Sequence, residues 1–300
     1  MRTHETAQTS SGAPGKLPRR EYGRTGIQLS IVGLGGLVVT DAEQGHANRL
    51  VAEAVERGLN YFDVGPAYGD AEVKLGPALK PYRKDAFLAC KTGQRQREGA
   101  SAELKRSLER LHTDHFDLYQ LHALRDVKEH VEAAFAKGGA MEVFIEAKKS
   151  GQVRYLGFST HSVDAALRAM DLYDFDSILL PVNFACTYKG KFGPQVIQKA
   201  RDKGMAVLGI KAMARQRWPE NDPQREEYGR CWYQPLTDRH EAELGIRFAL
   251  SQPVTAIIPP GHETLFRLAL DVATDFRPLS EKEEHELKSL ADVLTPIFPL

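Results

Sequence analysis

The sequence predicts an α/β protein of the (β/α)8 type, a TIM barrel with its active site at the C-terminal face of the strands. Short runs of strand-forming residues alternate with amphipathic helical stretches from about residue 21 onward, which is the pattern of parallel βα units. Eight such runs can be counted, and eight strands close a barrel. The chain of 300 residues is long enough, since about 250 residues are typical of this fold.

The eight predicted strands are separated by stretches long enough to hold a helix. In order they are Ile31–Leu34, Asn60–Asp63, Ala86–Lys91, Phe116–Leu121, Tyr155–Phe158, Ser177–Val182, Ala206–Ile210 and Thr255–Ile258. Two of the stretches between them carry an apolar stripe at helical spacing, which would face the strands. These stripes are Leu50, Val51, Ala54 and Val55, and then Leu104, Leu108 and Leu111. Ser280 and Glu283 form the pattern of a capping box, so a further helix is predicted near the end of the chain.

An open doubly wound sheet is the competing α/β architecture. It binds a dinucleotide at a GxGxxG turn between its first strand and first helix. At that place this chain has Gly33, Gly35 and Gly36 followed by Leu37, and the spacing does not fit the motif. The sequence therefore favours the closed barrel.

The domain organisation is predicted to be simple. Residues 1–19 are rich in Ser, Thr, Gly and Pro and offer almost nothing to bury, so they are expected to form a flexible N-terminal tail. Residues 20–300 are expected to form one barrel domain.

Charge and cysteine content restrict the partners and the compartment. The 40 basic and 40 acidic side chains cancel, which leaves no general field to attract nucleic acid or an anionic membrane. No apolar run is long enough for a membrane span, and the first twenty residues lack the apolar core of a secretory signal. The three cysteines are far apart and form no CxxC pair. The expectation is a cytoplasmic protein whose partner is a small molecule.

Four ionisable side chains lie at the ends of three successive predicted strands. Asp63 ends the second strand and Tyr68 follows in its loop, Lys91 ends the third strand, and His122 follows the fourth. Any one of these would ordinarily be a cap, a solvated charge or a structural histidine. Because the carboxyl ends of barrel strands meet at one face, all four are expected to converge there, and the convergence indicates a catalytic site.

This set of side chains suits the reduction of a carbonyl group. The oxygen becomes negatively charged when its carbon receives a hydride, and it must then be given a proton. Tyr68 would supply that proton, and the neighbouring ammonium of Lys91 would lower the pKa of the phenol. Asp63 would hold Lys91 charged and oriented, because a buried ammonium without a partner is costly. His122 would hydrogen-bond the substrate oxygen.

At these residues the chain resembles the aldo-keto reductase family, whose catalytic tetrad is Asp, Tyr, Lys and His. The resemblance extends from residue 20 to the last helix and includes the stretches REYGRTGIQLSIVGLGG, DHFDLYQLH, SGQVRYLGFSTHS and IIPPGHE. It implies an eight-stranded barrel that binds NADP(H) or NAD(H) across its C-terminal face without a Rossmann domain. It also implies hydride transfer between that cofactor and a small carbonyl or sugar substrate.

The resemblance further implies a set of cofactor-binding positions. They are Gly36, Leu37, Asp63, Ser159, Thr160, Asn183, Ile210, Lys211, Gly261, His262 and Arg267. Three positions depart from the family pattern. Thr160 replaces a common Asn, Pro181 falls where a Gln commonly lies, and Ile210 falls where an aromatic residue commonly stacks on the nicotinamide. The turn at Gly261 and His262 lacks the Lys or Arg usual in members that prefer NADPH, so no preference between the two cofactors is predicted.

Three other functions stay open at this point. A sugar dehydrogenase would use the same four residues mainly in the oxidative direction, and a regulatory barrel would bind the cofactor without significant turnover. A metal-dependent hydrolase would need ligands such as His115, Asp117 and His122, but strand alternation puts His115 and His122 at opposite ends of one strand. No metal site is therefore predicted.

Two connections are too long for ordinary loops, Ala123–Met141 after the fourth predicted strand and Ala212–Asp238 after the seventh, and both leave the C-terminal face of the barrel. The segment Ala212–Asp238 follows the seventh strand and contains Trp218, Tyr228, Trp232 and Tyr233. Aromatic residues on a loop over a barrel mouth can line a pocket or close it, so this segment is expected to cover the bound cofactor or substrate. Local packing against the outer helices is the simpler alternative.

Overall fold

The computed structural model describes residues 15–298, and its first element is a small antiparallel hairpin. Strands β1 (Arg19–Glu21) and β2 (Gln28–Ser30) pair with Arg20 opposite Leu29. The ring of Tyr22, in the turn between them, lies 4.9 Å from the ring of Phe87 and 5.4 Å from that of Tyr155, measured between centroids. The hairpin therefore covers the N-terminal end of the barrel.

Eight parallel strands form the barrel itself. They are β3 (Leu34–Gly35), β4 (Tyr61–Asp63), β5 (Phe87–Thr92), β6 (Phe116–Leu124), β7 (Val153–Thr160), β8 (Ser177–Pro181), β9 (Ala206–Ile210) and β12 (Ala256–Ile258), separated late in the chain by a second hairpin of β10 (Ala214–Arg217) and β11 (Tyr233–Pro235). Each barrel strand pairs with its neighbours in chain order. A parallel bridge between Val32 and Ile257 joins the first strand to the last. The predicted (β/α)8 barrel is confirmed.

The helices pack around the outside of this ring. They are α1 (Gln44–Glu56), α2 (Ala71–Leu79), α3 (Arg97–Arg110), α4 (Ala133–Phe135), α5 (Ala140–Ser150), α6 (Val163–Leu172), α7 (Phe184–Tyr188), α8 (Pro194–Asp202), α9 (Gln224–Glu227), α10 (Arg239–Ser251), α11 (Glu263–Thr274) and α12 (Glu281–Val293). Short 3-10 helices cover Gly36–Val39 and Lys80–Asp85, and a π-helix covers Val127–Glu132. The capping box of Ser280 and Glu283 is formed at the start of α12, as predicted.

Strand alternation decides which side chains enter the barrel. Tyr61 on β4, and Phe87 and Ala89 on β5, belong to the cluster inside the ring, whereas Phe62 and Leu88 pack outside against the helices. Because side chains two residues apart share a face, Asp63 and Lys91 also point inward, at the C-terminal ends of their strands. The same alternation carries Gln120 and His122 inward on β6. The inside of the barrel is therefore apolar along most of its length and polar at its C-terminal end.

The structure describes only the last part of the predicted N-terminal tail. Most of the expected tail, residues 1–14, lies outside the described residues. The end of that segment is part of the fold, because Leu17 is buried, its N–H donates to the Arg57 carbonyl at 2.8 Å, and β1 begins at Arg19. Among residues 15–298, no helix is both long and apolar enough to cross a membrane.

Candidate active site

The four predicted catalytic side chains meet at the C-terminal mouth of the barrel. Asp63 ends β4, Lys91 and His122 lie near the ends of β5 and β6, and Tyr68 lies in the loop after β4. All four line one cavity of about 250 Å³. The strand register places three of them side by side, since β4, β5 and β6 are neighbours in the sheet.

A buried ion pair forms the floor of this cavity. The ammonium of Lys91 donates to Oδ1 of Asp63, and neither side chain is appreciably exposed. The other carboxylate oxygen, Oδ2, accepts hydrogen bonds from the Tyr61 hydroxyl at 3.2 Å and from Nε2 of Gln120 at 2.9 Å. Burial lowers the pKa of Lys91, but Asp63 and Tyr68 outweigh it and the net pKa is raised, so the lysine is cationic.

Tyr68 lies beside this pair and beside His122. The Lys91 Nζ is 5.5 Å from the centroid of the Tyr68 ring, and the imidazole of His122 meets the same ring edge-on at 5.7 Å between centroids. Lys91 acts in the expected direction on the Tyr68 pKa, but the expected net lowering of that pKa is wrong. Burial raises the pKa of the phenol above its ordinary value and outweighs the opposing effect of Lys91. Tyr68 therefore carries its proton at neutral pH.

His122 is a neutral imidazole in this environment. Burial, followed by the positive charge of Lys91, lowers its pKa to about 3. A neutral ring can donate one hydrogen bond and accept another without adding charge to the cavity. His122 is thus suited to orient a polar oxygen next to Tyr68.

The predicted cofactor positions divide into two groups. Those that line the cavity are Gly36, Leu37, Asp63, Ser159, Ile210, Lys211 and Gly261. The other four, Thr160, Asn183, His262 and Arg267, lie outside it.

Two side chains of this second group, those of Thr160 and Asn183, are hydrogen-bonded within the protein. The Thr160 hydroxyl bonds to the Leu124 carbonyl at 2.8 Å, and the Asn183 amide donates to the Lys211 carbonyl at 3.1 Å and the Ala214 carbonyl at 2.7 Å. These bonds use the donors that the predicted carboxamide contacts require, so cofactor contacts of Thr160 and Asn183 stay predictions.

His262 and Arg267 lie at helix α11 rather than in the cavity. The ring of His262 packs on Tyr228 with centroids 4.6 Å apart. The Arg267 guanidinium is ion-paired with Glu53, and at 2.9 Å with Glu263. Binding of a cofactor phosphate by Arg267 would require it to leave these two carboxylates.

Several residues that contribute to the site were not predicted. Gln120 and Tyr61 both donate hydrogen bonds to Asp63. A sequence signal for both exists, because each lies two residues before a predicted catalytic residue on the same strand and so shares its face. Arg125, His161 and Arg230 also line the cavity. They lie in loops, where no periodicity indicates direction.

The long segment after β9 does reach the cavity. Its two ends form the hairpin of β10 and β11, and the residues just before and within β11, Arg230 to Tyr233, line the mouth. Arg230 donates to the Thr40 carbonyl on the opposite side. Other aromatic residues serve local packing, since Trp218 Nε1 donates to the Cys231 carbonyl at 2.7 Å and Tyr228 is buried. Part of the segment therefore lines the cavity and part of it packs locally, and its covering of a bound cofactor or substrate stays a prediction.

A substitution at Trp232 distinguishes whether this part of the segment covers a bound ligand or only packs against the protein. Its side chain is 49% exposed, so Trp232→Ala should change the free energy of unfolding by less than ~0.5 kcal/mol. We expect the Kd of the cofactor or the KM of the substrate to rise on the order of fivefold. Val293→Ala, at an exposed position of α12 outside the cavity, is the control. A marked loss of stability with unchanged binding would assign Trp232 to packing.

The metal-hydrolase ligands do not come together. Nδ1 of His115 contacts Oδ1 of Asp114 at 2.6 Å, whereas Asp117 is ion-paired with Arg83 at 3.1 Å. His122 lies at the other end of β6. Within the part of the chain that the structure describes, no three His, Cys, Asp or Glu side chains are grouped so that they could hold a metal ion.

A barrel with this tetrad at its C-terminal mouth defines a class of nicotinamide-dependent oxidoreductases. The chain belongs to the aldo/keto reductase family, whose sequence model matches residues 32–291. It is therefore an NAD(P)H-dependent oxidoreductase, since members of this family reduce or oxidise small carbonyl compounds with nicotinamide cofactors.

Relatives cover most of the chain at modest identity. The uncharacterized oxidoreductase YqkF of Bacillus subtilis is 26% identical over 90% of this chain and 95% of its own length. L-galactose dehydrogenase of Arabidopsis thaliana is 31% identical over 52% of each chain. In fold, the chain is similar to the holo form of the aldo-keto reductase AKR11C1 from Bacillus halodurans, with a TM-score of 0.71, 22% identity and coverage of 93% and 98% of the two chains.

Proposed function

We propose that this enzyme reduces the carbonyl group of a small molecule, with Tyr68 as the general acid. The observation that carries the proposal is the meeting of Tyr68, His122 and the buried pair of Lys91 and Asp63 in one cavity. A bound nicotinamide cofactor would supply the hydride. The protein's own residues would orient the substrate oxygen and protonate it.

The roles follow from the charge state of each group. Tyr68 keeps its proton at neutral pH because burial raises its pKa, so it can give that proton to the developing alkoxide. Lys91 stabilises the phenolate that remains, since it is cationic and lies against the Tyr68 ring. Neutral His122, edge-on to the same ring, would donate a hydrogen bond to the substrate oxygen. Asp63 holds Lys91 in place.

The residues around the tetrad fit a nicotinamide ring. Ile210, Ile258 and Leu179 give the cavity apolar walls against which an aromatic ring can pack. The Ser159 hydroxyl accepts a hydrogen bond from the Ala123 N–H at 2.7 Å and keeps its own proton free for a carboxamide oxygen. Both features suit a ring that carries an amide.

Because Tyr68 keeps its proton at neutral pH, we expect the initial rate of reduction to exceed that of oxidation at pH 7. Oxidation of an alcohol requires the deprotonated tyrosine as a base, and burial makes that form scarce. A sugar dehydrogenase is the competing candidate, because L-galactose dehydrogenase and the D-arabinose 1-dehydrogenase of Saccharomyces cerevisiae are among the relatives. Such an enzyme would gain activity steeply as the pH rises.

The test is a kinetic screen of purified protein in both directions. Aldehydes, ketones and aldoses would be supplied with NADPH or NADH, and alcohols and sugars with the oxidised cofactors, while the absorbance of the reduced cofactor is followed. We expect reduction to be faster than oxidation at pH 7. Cofactor binding without turnover of any substrate would instead support the regulatory barrel.

We further expect little discrimination between NADPH and NADH. The turn before α11 offers Gly261 and His262 and no cation, and Arg267 is already paired with two carboxylates. Dissociation constants of the two cofactors, measured by equilibrium fluorescence titration, should differ by less than about tenfold, or ~1.4 kcal/mol. A much larger preference for NADPH, abolished in Arg267→Gln, would mean that Arg267 exchanges its carboxylate partners for the phosphate.

A further inference from the structure

The cavity carries more positive than negative charge. Among the described residues that line it, the single carboxylate is Asp63, and Lys91 already neutralises it. Lys211, Arg125 and Arg230 add three further cations. Arg230 is engaged at the rim, where it contacts the Thr40 carbonyl and Asp41. Lys211 and Arg125 have no acidic partner within residues 15–298, so they leave the cavity with an uncompensated positive charge.

The backbone conformation at Lys211 is fixed by hydrogen bonds from neighbouring residues. Its backbone has a φ of 67°, a left-handed conformation that is uncommon outside glycine and costs free energy. The Lys211 carbonyl accepts hydrogen bonds from the Asn183 amide at 3.1 Å and from the Ala214 N–H at 2.9 Å. This turn at the end of β9 fixes where the side chain leaves the backbone, and the side chain lines the cavity.

The ammonium of Lys211 is held between two aromatic rings. It lies 4.7 Å from the centroid of Tyr233 and 5.4 Å from that of Trp232. Burial lowers its pKa to about 8. Aromatic faces stabilise a cation only in part, and an ammonium shielded from water still gains from an anion. The side of Lys211 that faces the cavity is open to such a ligand.

His161 lines the same cavity as Lys211 and Arg125. Burial, then Lys211, then Arg125 lower the pKa of His161 to about 3, so the ring is neutral and lies near both cations. Its Nδ1 is buried without a hydrogen-bond partner among the described residues. His161 also lines the same cavity as Tyr68 and His122. Two cations and an unused polar nitrogen thus border the space in which a substrate would react.

We propose that the carbonyl substrate carries an anionic group, a carboxylate or a phosphate, which Lys211 and Arg125 bind while His161 offers it a hydrogen bond. This inference rests on the proposed carbonyl reduction and names the substrate class for the same cavity. An anion of the cofactor could meet the same cations. The placement of Arg125 three residues after His122, which orients the substrate oxygen, favours the substrate as the source.

The test compares two aldehydes, one of which carries a carboxylate where the other carries a neutral methyl ester. The probes are 4-carboxybenzaldehyde and its methyl ester, assayed for kcat/KM with wild type, Lys211→Met and Lys211→Arg. Wild type should prefer the carboxylate, and Lys211→Met should lose that preference on the order of tenfold to a hundredfold, as expected for a charge-assisted hydrogen bond. Lys211→Arg should retain most of it. Lys149→Met, at an exposed position in the last turn of α5, should behave like wild type.

Calorimetric binding separates this inference from the proposed function. The same two compounds and both cofactors would be titrated into each variant, whether or not turnover is seen. Lack of turnover together with Lys211-dependent carboxylate binding would overturn the proposed function alone. Equal binding of both compounds to wild type would overturn the inference alone. A loss of cofactor affinity in Lys211→Met, with the carboxylate preference intact, would assign the cations to the cofactor and also overturn it.

The preference for the carboxylate should also fall above pH 8. Lys211 is the group that loses its charge there, because its pKa is about 8. The other groups around it are Cys231 and Tyr233, whose pKa values are raised by burial, His161, whose pKa is about 3, and Arg125, whose guanidinium stays charged. A ratio of kcat/KM values for acid and ester that is constant from pH 6 to pH 9.5 would contradict the role of Lys211.

Discussion

The Tyr68→Phe variant should reduce carbonyl substrates about a hundredfold more slowly than wild type or slower still, because it would lack the proposed general acid. The ring itself is retained, so its edge-on contact with His122 and its contact with Lys91 should survive. The measurement is kcat under saturating cofactor, with the cofactor Kd determined separately. We expect the loss in kcat and an unchanged Kd.

Tyr82→Phe is the matched control for this experiment. Tyr82 lies in the 3-10 helix Lys80–Asp85, before β5 and outside the cavity. It should therefore keep wild-type kcat. Equal rates for Tyr68→Phe and wild type would remove Tyr68 from the mechanism and shift attention to His122 or a bound water as the proton donor.

The Asp63→Asn variant should lose about 3–5 kcal/mol of folding free energy at pH 7, because it leaves the ammonium of Lys91 buried without its counter-charge. The neighbouring donors of Tyr61 and Gln120 bond to the other oxygen and cannot neutralise the lysine. Urea denaturation gives the free energy of unfolding. The double variant Asp63→Asn/Lys91→Met should recover much of the loss, since it removes both charges, whereas a destabilisation that persists would point to the hydrogen bonds of Asp63.

The difference in the free energy of unfolding between wild type and Asp63→Asn should depend on pH. In wild type the pKa of Lys91 is raised in the folded state. The ion pair therefore makes its full contribution to the free energy of unfolding below the ordinary lysine pKa. That contribution is lost only as the pH rises through the raised pKa of Lys91. In Asp63→Asn the counter-charge is lost, and burial, the largest single effect on this lysine, lowers the pKa of Lys91, so the variant should gain stability as the pH rises. The difference between the two proteins should shrink between pH 7 and pH 10.

Strand periodicity made the barrel and the tetrad predictable. Asp63, Lys91 and His122 lie at the ends of apolar strands whose register the fold fixes, so their convergence follows from the topology. The two hairpins were not predicted, because β1 and β11 are three residues long and carry no readable alternation. Alternation of apolar and polar residues must extend over several residues before it indicates a strand and the side chains that face inward.

The chemical environment was harder to predict than the placement. The neighbouring charge of Lys91 can be inferred from the sequence, but the burial that outweighs it at Tyr68 depends on the whole mouth of the barrel. Thr160 and Asn183 have side chains that suit a cofactor, yet both bond to nearby carbonyl groups. Arg125 and His161 reach the cavity from loops, whose course is set by contacts with distant parts of the chain.

The closure of the barrel between its first and last strands has a consequence for local unfolding. Among the described residues, few backbone hydrogen bonds join these two strands. The Gly33 N–H donates to the Ile257 carbonyl, and the Ile257 N–H donates to the Ile31 carbonyl, each at 2.9 Å. The partners are separated by most of the chain, so this seam carries the largest loop-closure entropy of any strand pairing in the barrel. It should form last in folding and open first in native-state fluctuations. Gly35, Leu37 and Gly261 line the cavity and lie next to the seam, so we expect this part of the cavity wall to open more readily than the rest of the barrel.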